Sequence, residues 1–325
     1  RFGARKEQAR AYLSDARVRQ QARLSYPDAL DRALRLLDRE NYRVLLRKER
    51  DVADPLLAAP APRRRAAAPV LTTRAPAGAA PVRVRLLGGF AAERGGVATN
   101  PTRSAGRQLV ALLALQQGRP QRREALIEAL WPDSPPGAGR NRFDVALHDA
   151  RRALDPGAGP RGPFDMLKSE HGVVWLDDAV ECDLQLFDTL AEQAEREGTD
   201  ASLARALAAC AGPLLPEWPD VAWAEDARAR VRTLAENLRL ARAGIAFAAR
   251  SPAAALAFAD QVLAGDALHE EAIAWRLKSL AALGRRREAA TACAAFHARF
   301  RRELDSPPGP ELVALARELG IAPRD

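Results

Sequence analysis

A mainly α-helical chain with a small β component, split into at least two domains, is predicted by three observations. The 325 residues exceed what one compact core usually organises. Alanine and leucine dominate and aromatics make up only 5%, a composition that favours closely packed helices over a β-rich core. In the second half, helix-breaking clusters recur at roughly the 30–35-residue spacing of paired-helix repeats.

The elements follow in order. Residues 4–24 and 27–40 have helical periodicity, the second with Ala29, Leu30, Ala33, Leu34 and Leu37 on one face behind Pro27-Asp28. Two helices cannot bury a core alone, so 1–54 is expected to be the helical remnant of an upstream solenoid. Segment 55–81 holds 6 Pro and 10 Ala in 27 residues around Arg63-Arg64-Arg65, the composition of an extended linker.

From Val82 the pattern changes. Val82, Val84 and Leu86 alternate with Arg83 and Arg85 and run into Gly88-Gly89-Phe90, a half-buried strand entering a turn. Gly95-Gly96 sets a hairpin return. Three helices are predicted next, at Ser104–Gln117, Arg122–Leu130 and Arg140–Leu154. The second stops at Trp131-Pro132, with Trp131 expected to be wedged against the third; Asp155-Pro156-Gly157 ends the third. Met166-Leu167, a turn at Glu170-His171-Gly172, and Val173–Leu176 predict a closing β-hairpin. Strands, three helices and a hairpin in this order make 82–180 a winged helix-turn-helix domain. Residues 183–320 are expected to be a tetratricopeptide-like all-α domain, with breaks at Glu197-Gly198, Ala211–Asp220, Arg250-Ser251-Pro252, Gly265-Asp266, Leu283-Gly284-Arg285 and Ser306–Pro310. Pro213–Pro219 interrupts the repeat period.

The net charge of +8 is unevenly spread. Residues 1–80 carry 18 Lys/Arg against 9 Asp/Glu, 81–180 carry 14 against 11, and 181–325 carry 18 against 22. A basic front and an acidic back suit a chain that meets a polyanion with one part and proteins with the other. Cys182, Cys210 and Cys293 have no metal-ligand spacing and are expected to be buried small hydrophobes in a reducing cytoplasm. No apolar run reaches the ~20 residues of a membrane span, so a cytoplasmic protein without membrane partners is expected. P-loop, GxSxG and HExxH patterns are missing, so neither enzyme activity, cofactor nor metal is expected.

At this point the motifs resemble a known family. Leu86–Phe90, Ala125–Asp133, Arg140-Asn141 with Arg151–Leu154, and Gly212–Leu215 with Trp218 are similar to SARP-like regulators, which join an OmpR-type winged helix to a bacterial transcriptional activation domain. Ala282–Arg285 and Leu319–Pro323 resemble that domain's later helices. Phe143–His148, Trp175–Asp177 and Phe187 resemble a subgroup found at the end of larger regulators with an ATPase and a helical-repeat region. The pattern departs at Asp149, where members usually carry a basic or neutral residue. The resemblance implies a DNA-binding activator whose C-terminal domain contacts RNA polymerase, self-associates on DNA, or relays a signal.

Helix phase then assigns side chains. With Phe143, Leu147, Ala150 and Leu154 inward at ~100° per residue, the opposite stripe holds Asn141, Val145, His148, Asp149 and Arg152. These suit base edges in the major groove: Asn for adenine, Arg for guanine, Val for a thymine methyl, Asp for cytosine. Asp144 is placed to pair with His148 at i+4. Arg103, Arg107, Arg140, Arg142, Arg151, Lys168 and His171 flank the stripe and suit phosphates of double-stranded DNA. The alternative is a helical-repeat scaffold whose winged helix docks a protein without DNA, favoured by Asp149 and by the small charge surplus of 81–180.

Overall fold

A computed structural model describes residues 81–159 and 162–321. The chain divides into two units, Arg1–Arg74 and Ala75–Asp325, and the second is described here. The expected solenoid remnant at 1–54, and the expected linker at 55–81 apart from Pro81, lie outside the described residues.

The winged-helix half starts with β1 (Val82–Arg85), β2 (Ala91–Arg94) and β3 (Val97–Ala98). Gly95 and Gly96 both have positive φ, the two-residue turn whose twist suits a hairpin. Helices α1 (Ser104–Leu115), α2 (Arg123–Leu130) and α3 (Pro136–Leu154) follow, with β4 (Gln121–Arg122) between the first two. Helix α3 starts one turn before Arg140, because Pro136 can occupy the first helical turn at no hydrogen-bond cost. Strands β5 (Leu167–Glu170) and β6 (Val173–Leu176) form the hairpin around His171-Gly172, and β4 pairs with β6. A seventh strand, β7 (Val180–Cys182), runs parallel to β1 and completes a sheet of order β3-β2-β1-β7.

Phe143, Ala146, Leu147, Ala150 and Leu154 of α3 are buried, as the helix phase requires. Gly139 lets α2 and α3 approach closely, since a Cβ there would come within 2.8 Å of Ile127 Cγ2. Trp131 is only half-buried at the edge of the core, exposed more than the wedge expected from sequence. It follows the last turn of α2 with a non-helical backbone and packs against the rim of the core.

Strand β7 passes directly into α4 (Asp183–Glu197), followed by α5 (Asp200–Ala209), a 3-10 turn at Ala222–Ala224, and α6 (Glu225–Ala248). The array continues with α7 (Pro252–Gly265), α8 (Glu270–Ala282), α9 (Arg286–Leu304) and α10 (Pro310–Glu318). Gly198 ends α4 in the left-handed region and Thr199 caps α5 through Ser202 N–H. One core runs from Val82 through the winged helix to Leu238 of α6, so the two halves share it; a second, around Leu277, Phe296 and Phe300, fills the C-terminal helices.

The segment that interrupts the repeat period joins these halves. Gly88 N–H donates to Pro213 O and Leu215 N–H to Leu86 O, both at 2.9 Å. Gly88 and Gly212 lie back to back: a Cβ on Gly212 would stand 2.9 Å from Gly88 Cα. Asp183 accepts from Leu86 N–H and Leu87 N–H at 2.9 Å each. Burial raises its pKa despite those bonds. Phe90 meets Trp218 at 5.8 Å between ring centroids. Arg228 of α6 gathers the carbonyls of Leu214, Trp218, Pro219 and Val221 and so fixes the loop's course. No helix among the described residues is long and apolar enough to cross a membrane.

Candidate nucleic-acid interface

The outer face of α3 carries Arg140, Asn141, Val145, His148 and Arg152, all exposed, with Val145 at 45%. Arg152 leans back on Ala158 O at 3.2 Å, a contact to an exposed carbonyl that a stronger acceptor could displace. Asn141, Val145 and His148 have no side-chain partner among the described residues.

Asp149 does not join this row. Its carboxylate turns toward α1, accepting from Thr102 Oγ1 at 2.6 Å and from Arg103 N–H at 2.9 Å. It therefore holds free N–H groups at the start of α1, which has no side-chain cap of its own. Asp149, expected in the base-reading row, is engaged here with the start of α1: the phase angle at 149 points between core and solvent, where α1 lies.

Arg151, expected among the phosphate contacts, is also engaged within the protein. It is half-buried, its Nε donates to Leu167 O at 3.0 Å, and its guanidinium lies 5.3 Å from the Phe164 ring. Burial lowers its pKa. It braces the hairpin against α3. Lys168 is likewise paired with Asp177 and mostly covered. Asp144 binds Arg123 at 2.6 Å rather than His148.

Of the remaining flanking groups, Arg103, Arg107, Arg140 and Arg142 are exposed, with Arg107 held by Pro101 O at 2.8 Å and Arg142 by Ser134 Oγ at 2.7 Å. His171 sits at the hairpin tip with φ 49° and lies 3.5 Å from Glu170. The tip is therefore not strongly cationic. Two residues outside the sequence-based set stand beside it: Arg122 is exposed on β4 opposite Val173, and Arg123 lies over Phe143 at 5.1 Å, tying α2 to α3. The Arg122-Arg123 doublet opening a helix was the available signal. Asp149 is turned to the start of α1 and Asp144, still exposed, pairs with Arg123, so the outer row itself holds Arg140, Asn141, Val145, His148 and Arg152.

Residues 182–320 match the family model of the bacterial transcriptional activator domain. Over 119 residues the chain is 31% identical to the regulatory protein DnrI of Streptomyces peucetius, covering 35% of this chain and 44% of that protein. The chain thus spans less than half the length of that curated relative. The structure of Mycobacterium tuberculosis EmbR in complex with a low-affinity phosphopeptide superposes with a TM-score of 0.64 at 22% identity, covering 76% of this chain and 67% of that one. That likeness is one of fold.

Proposed function

We propose that this SARP-like chain is a sequence-specific, DNA-binding transcriptional activator that reads the major groove with the outer face of α3. The observation that carries the reading is the row Arg140, Asn141, Val145, His148 and Arg152, exposed on a helix whose opposite face is fully buried. A helix presented this way by a winged-helix frame has the diameter and the donors to enter a major groove. Arg103, Arg107, Arg140, Arg142 and His171 surround it as phosphate contacts.

The helical domain is the output module: it contacts RNA polymerase, supports self-association on DNA, or relays a signal. A cytoplasmic, regulatory and non-catalytic role belongs to the same reading. Of the two observations that favour the protein-docking alternative, the small charge surplus of 81–180 stands, while the Asp149 carboxylate is engaged with the start of α1.

The test is selection of duplexes from a randomised pool, followed by fluorescence anisotropy of the winning site at two salt concentrations. Affinity that falls with salt and exceeds that of a scrambled duplex by at least about a hundredfold is expected. Equal binding to both duplexes removes the sequence-reading claim.

A further inference from the structure

A groove of about 630 Å³ lies between the end of α7, α8 and one side of α9. Along α9 it is lined by Glu288, Thr291, Ala292, Ala295 and Arg299. These fall at i, i+3, i+4, i+7 and i+11, one stripe about 16 Å long. Thr291 donates its hydroxyl to Arg287 O at 3.0 Å, within its own helix, so the middle of the stripe has little unmet polarity. Leu263 of α7 and Ala292 are half-buried and Ala295 is exposed, with the buried Ile273 and Phe296 behind them. The result is a shallow apolar trough of small side chains.

Its rim is cationic. Arg276, Arg287 and Arg299 line the groove against a single carboxylate, Glu288, which Arg285 already engages at 2.6 Å. Arg287 is exposed and has no partner among the described residues. Arg276 lies 3.4 Å from Asp260, yet its buried Nε meets no hydrogen-bond acceptor. Arg299 is held by Glu303 at 2.8 Å. Ion pairs as exposed as these two are weak, so both arginines can turn to a better-placed carboxylate.

Charge and polarity together select the occupant. A nucleic-acid backbone carries charge at every step and nothing apolar to cover the trough, and Glu288 opposes it. A wholly apolar segment leaves the guanidiniums without counter-charge. A short segment with an apolar side chain between carboxylates meets both demands. We propose that this groove docks an acidic segment of another protein, its apolar side chain against Leu263, Ala292 and Ala295 and its carboxylates on Arg276, Arg287 and Arg299. The inference rests on the reading of the helical domain as a protein-contacting output module and names the chemistry of its partner. It needs no DNA reading. A rim of exposed arginines makes the contact sensitive to salt.

The test is selection on the full chain, without DNA, from a displayed library of random peptides of about twelve residues, enough for three helical turns. Enrichment of peptides with Asp or Glu on both sides of an apolar residue is expected. The synthetic consensus should bind in fluorescence anisotropy, more weakly at about 500 mM than at about 50 mM salt. Arg287→Glu with Arg299→Glu should weaken that peptide by at least about tenfold. Ala295→Glu, which puts a carboxylate on the trough and breaks no ion pair, should do the same, and both variants should keep the wild-type circular dichroism melt. Enriched peptides without an acidic bias overturn the proposal. So does a consensus that both variants bind as tightly as wild type, or one that random-sequence duplex DNA displaces, which gives the groove to nucleic acid. A reporter gene still fully activated by variants that have lost the peptide supports the groove and counts only against its output role.

Discussion

The carboxylate of Asp149 fills the space that any side chain at position 106 would occupy, so Gly106 and Asp149 are one structural unit 43 residues apart in sequence. A Cβ on Gly106 would overlap Asp149 Oδ2 and approach Pro101 Cβ to 3.0 Å. The pair anchors the start of α1 to the middle of α3, and so fixes how α3 is presented.

Asp149→Ala is accordingly expected to cost about 0.5–2 kcal/mol of stability, the range for a lost helix cap. Gly106→Ala should lower the melting temperature in the same direction, because the carboxylate is displaced from the N–H groups. Asp149→Arg should destabilise as well rather than simply strengthen DNA binding. Urea unfolding of the three variants decides; an Asp149→Arg protein as stable as wild type contradicts the capping role.

Arg151 and Arg152 are adjacent and should behave oppositely. Arg152→Ala should weaken the selected duplex by about 1–3 kcal/mol, relax one base position and leave stability unchanged. Arg151→Ala removes the Leu167 bond and the Phe164 contact, so its expected signature is lower stability, about 1–2 kcal/mol, with an unaltered salt slope. Anisotropy and thermal melts on both variants read the two effects separately, and a reduced salt slope for Arg151→Ala would return that residue to the phosphate set.

The Gly88–Gly212 contact leaves no room for a methyl group. Gly212→Ala must push backbone against backbone, and an overpacking cost of about 1–3 kcal/mol is expected. Glu217→Ala, which loses one bond to Phe90 N–H at the exposed rim, should cost less than half as much. If calorimetry ranks them the other way, the junction is looser than the backbone distances require.

The thiols should differ in reactivity. Burial, with the Asp183 charge adding to it, pushes Cys182 up to about 12, so almost no thiolate exists there at neutral pH. Cys210, half-buried beside Gly212 O, is raised less and is more accessible. Timed maleimide labelling with mass spectrometry at pH 7.5 should find Cys210 modified before Cys182 in the native protein. Early labelling of Cys182 would show that the β7–α4 junction opens.

Much of the frame was legible in the chain. The phase of α3 follows from Phe143, Leu147, Ala150 and Leu154 alone, because burial of one helical face is a local, periodic signal. The hairpin turns followed from Gly95-Gly96 and His171-Gly172, where the backbone conformation itself selects the residue. What was not legible is non-local. Nothing near Asp149 announces Thr102, and nothing near Arg151 announces Leu167. Leu86–Phe90 looked like the end of a strand, yet β1 stops at Arg85 and the motif pairs with residues more than 120 positions later. Asp144 was paired with His148 by spacing, but Arg123 across the turn is closer and permanently charged.

The parallel pairing of β7 with β1 has a consequence for how this molecule can be divided. Residues 180–182 complete the first sheet and lead, with no spacer, into the first turn of α4 at Asp183. A cut before β7 leaves β1 with an open edge, whereas a cut after it removes Asp183 from the amides of Leu86 and Leu87. Neither half has a clean end at this seam. The winged helix and the first helices of the array are therefore transplantable only together, as a single cassette from β1 through α6.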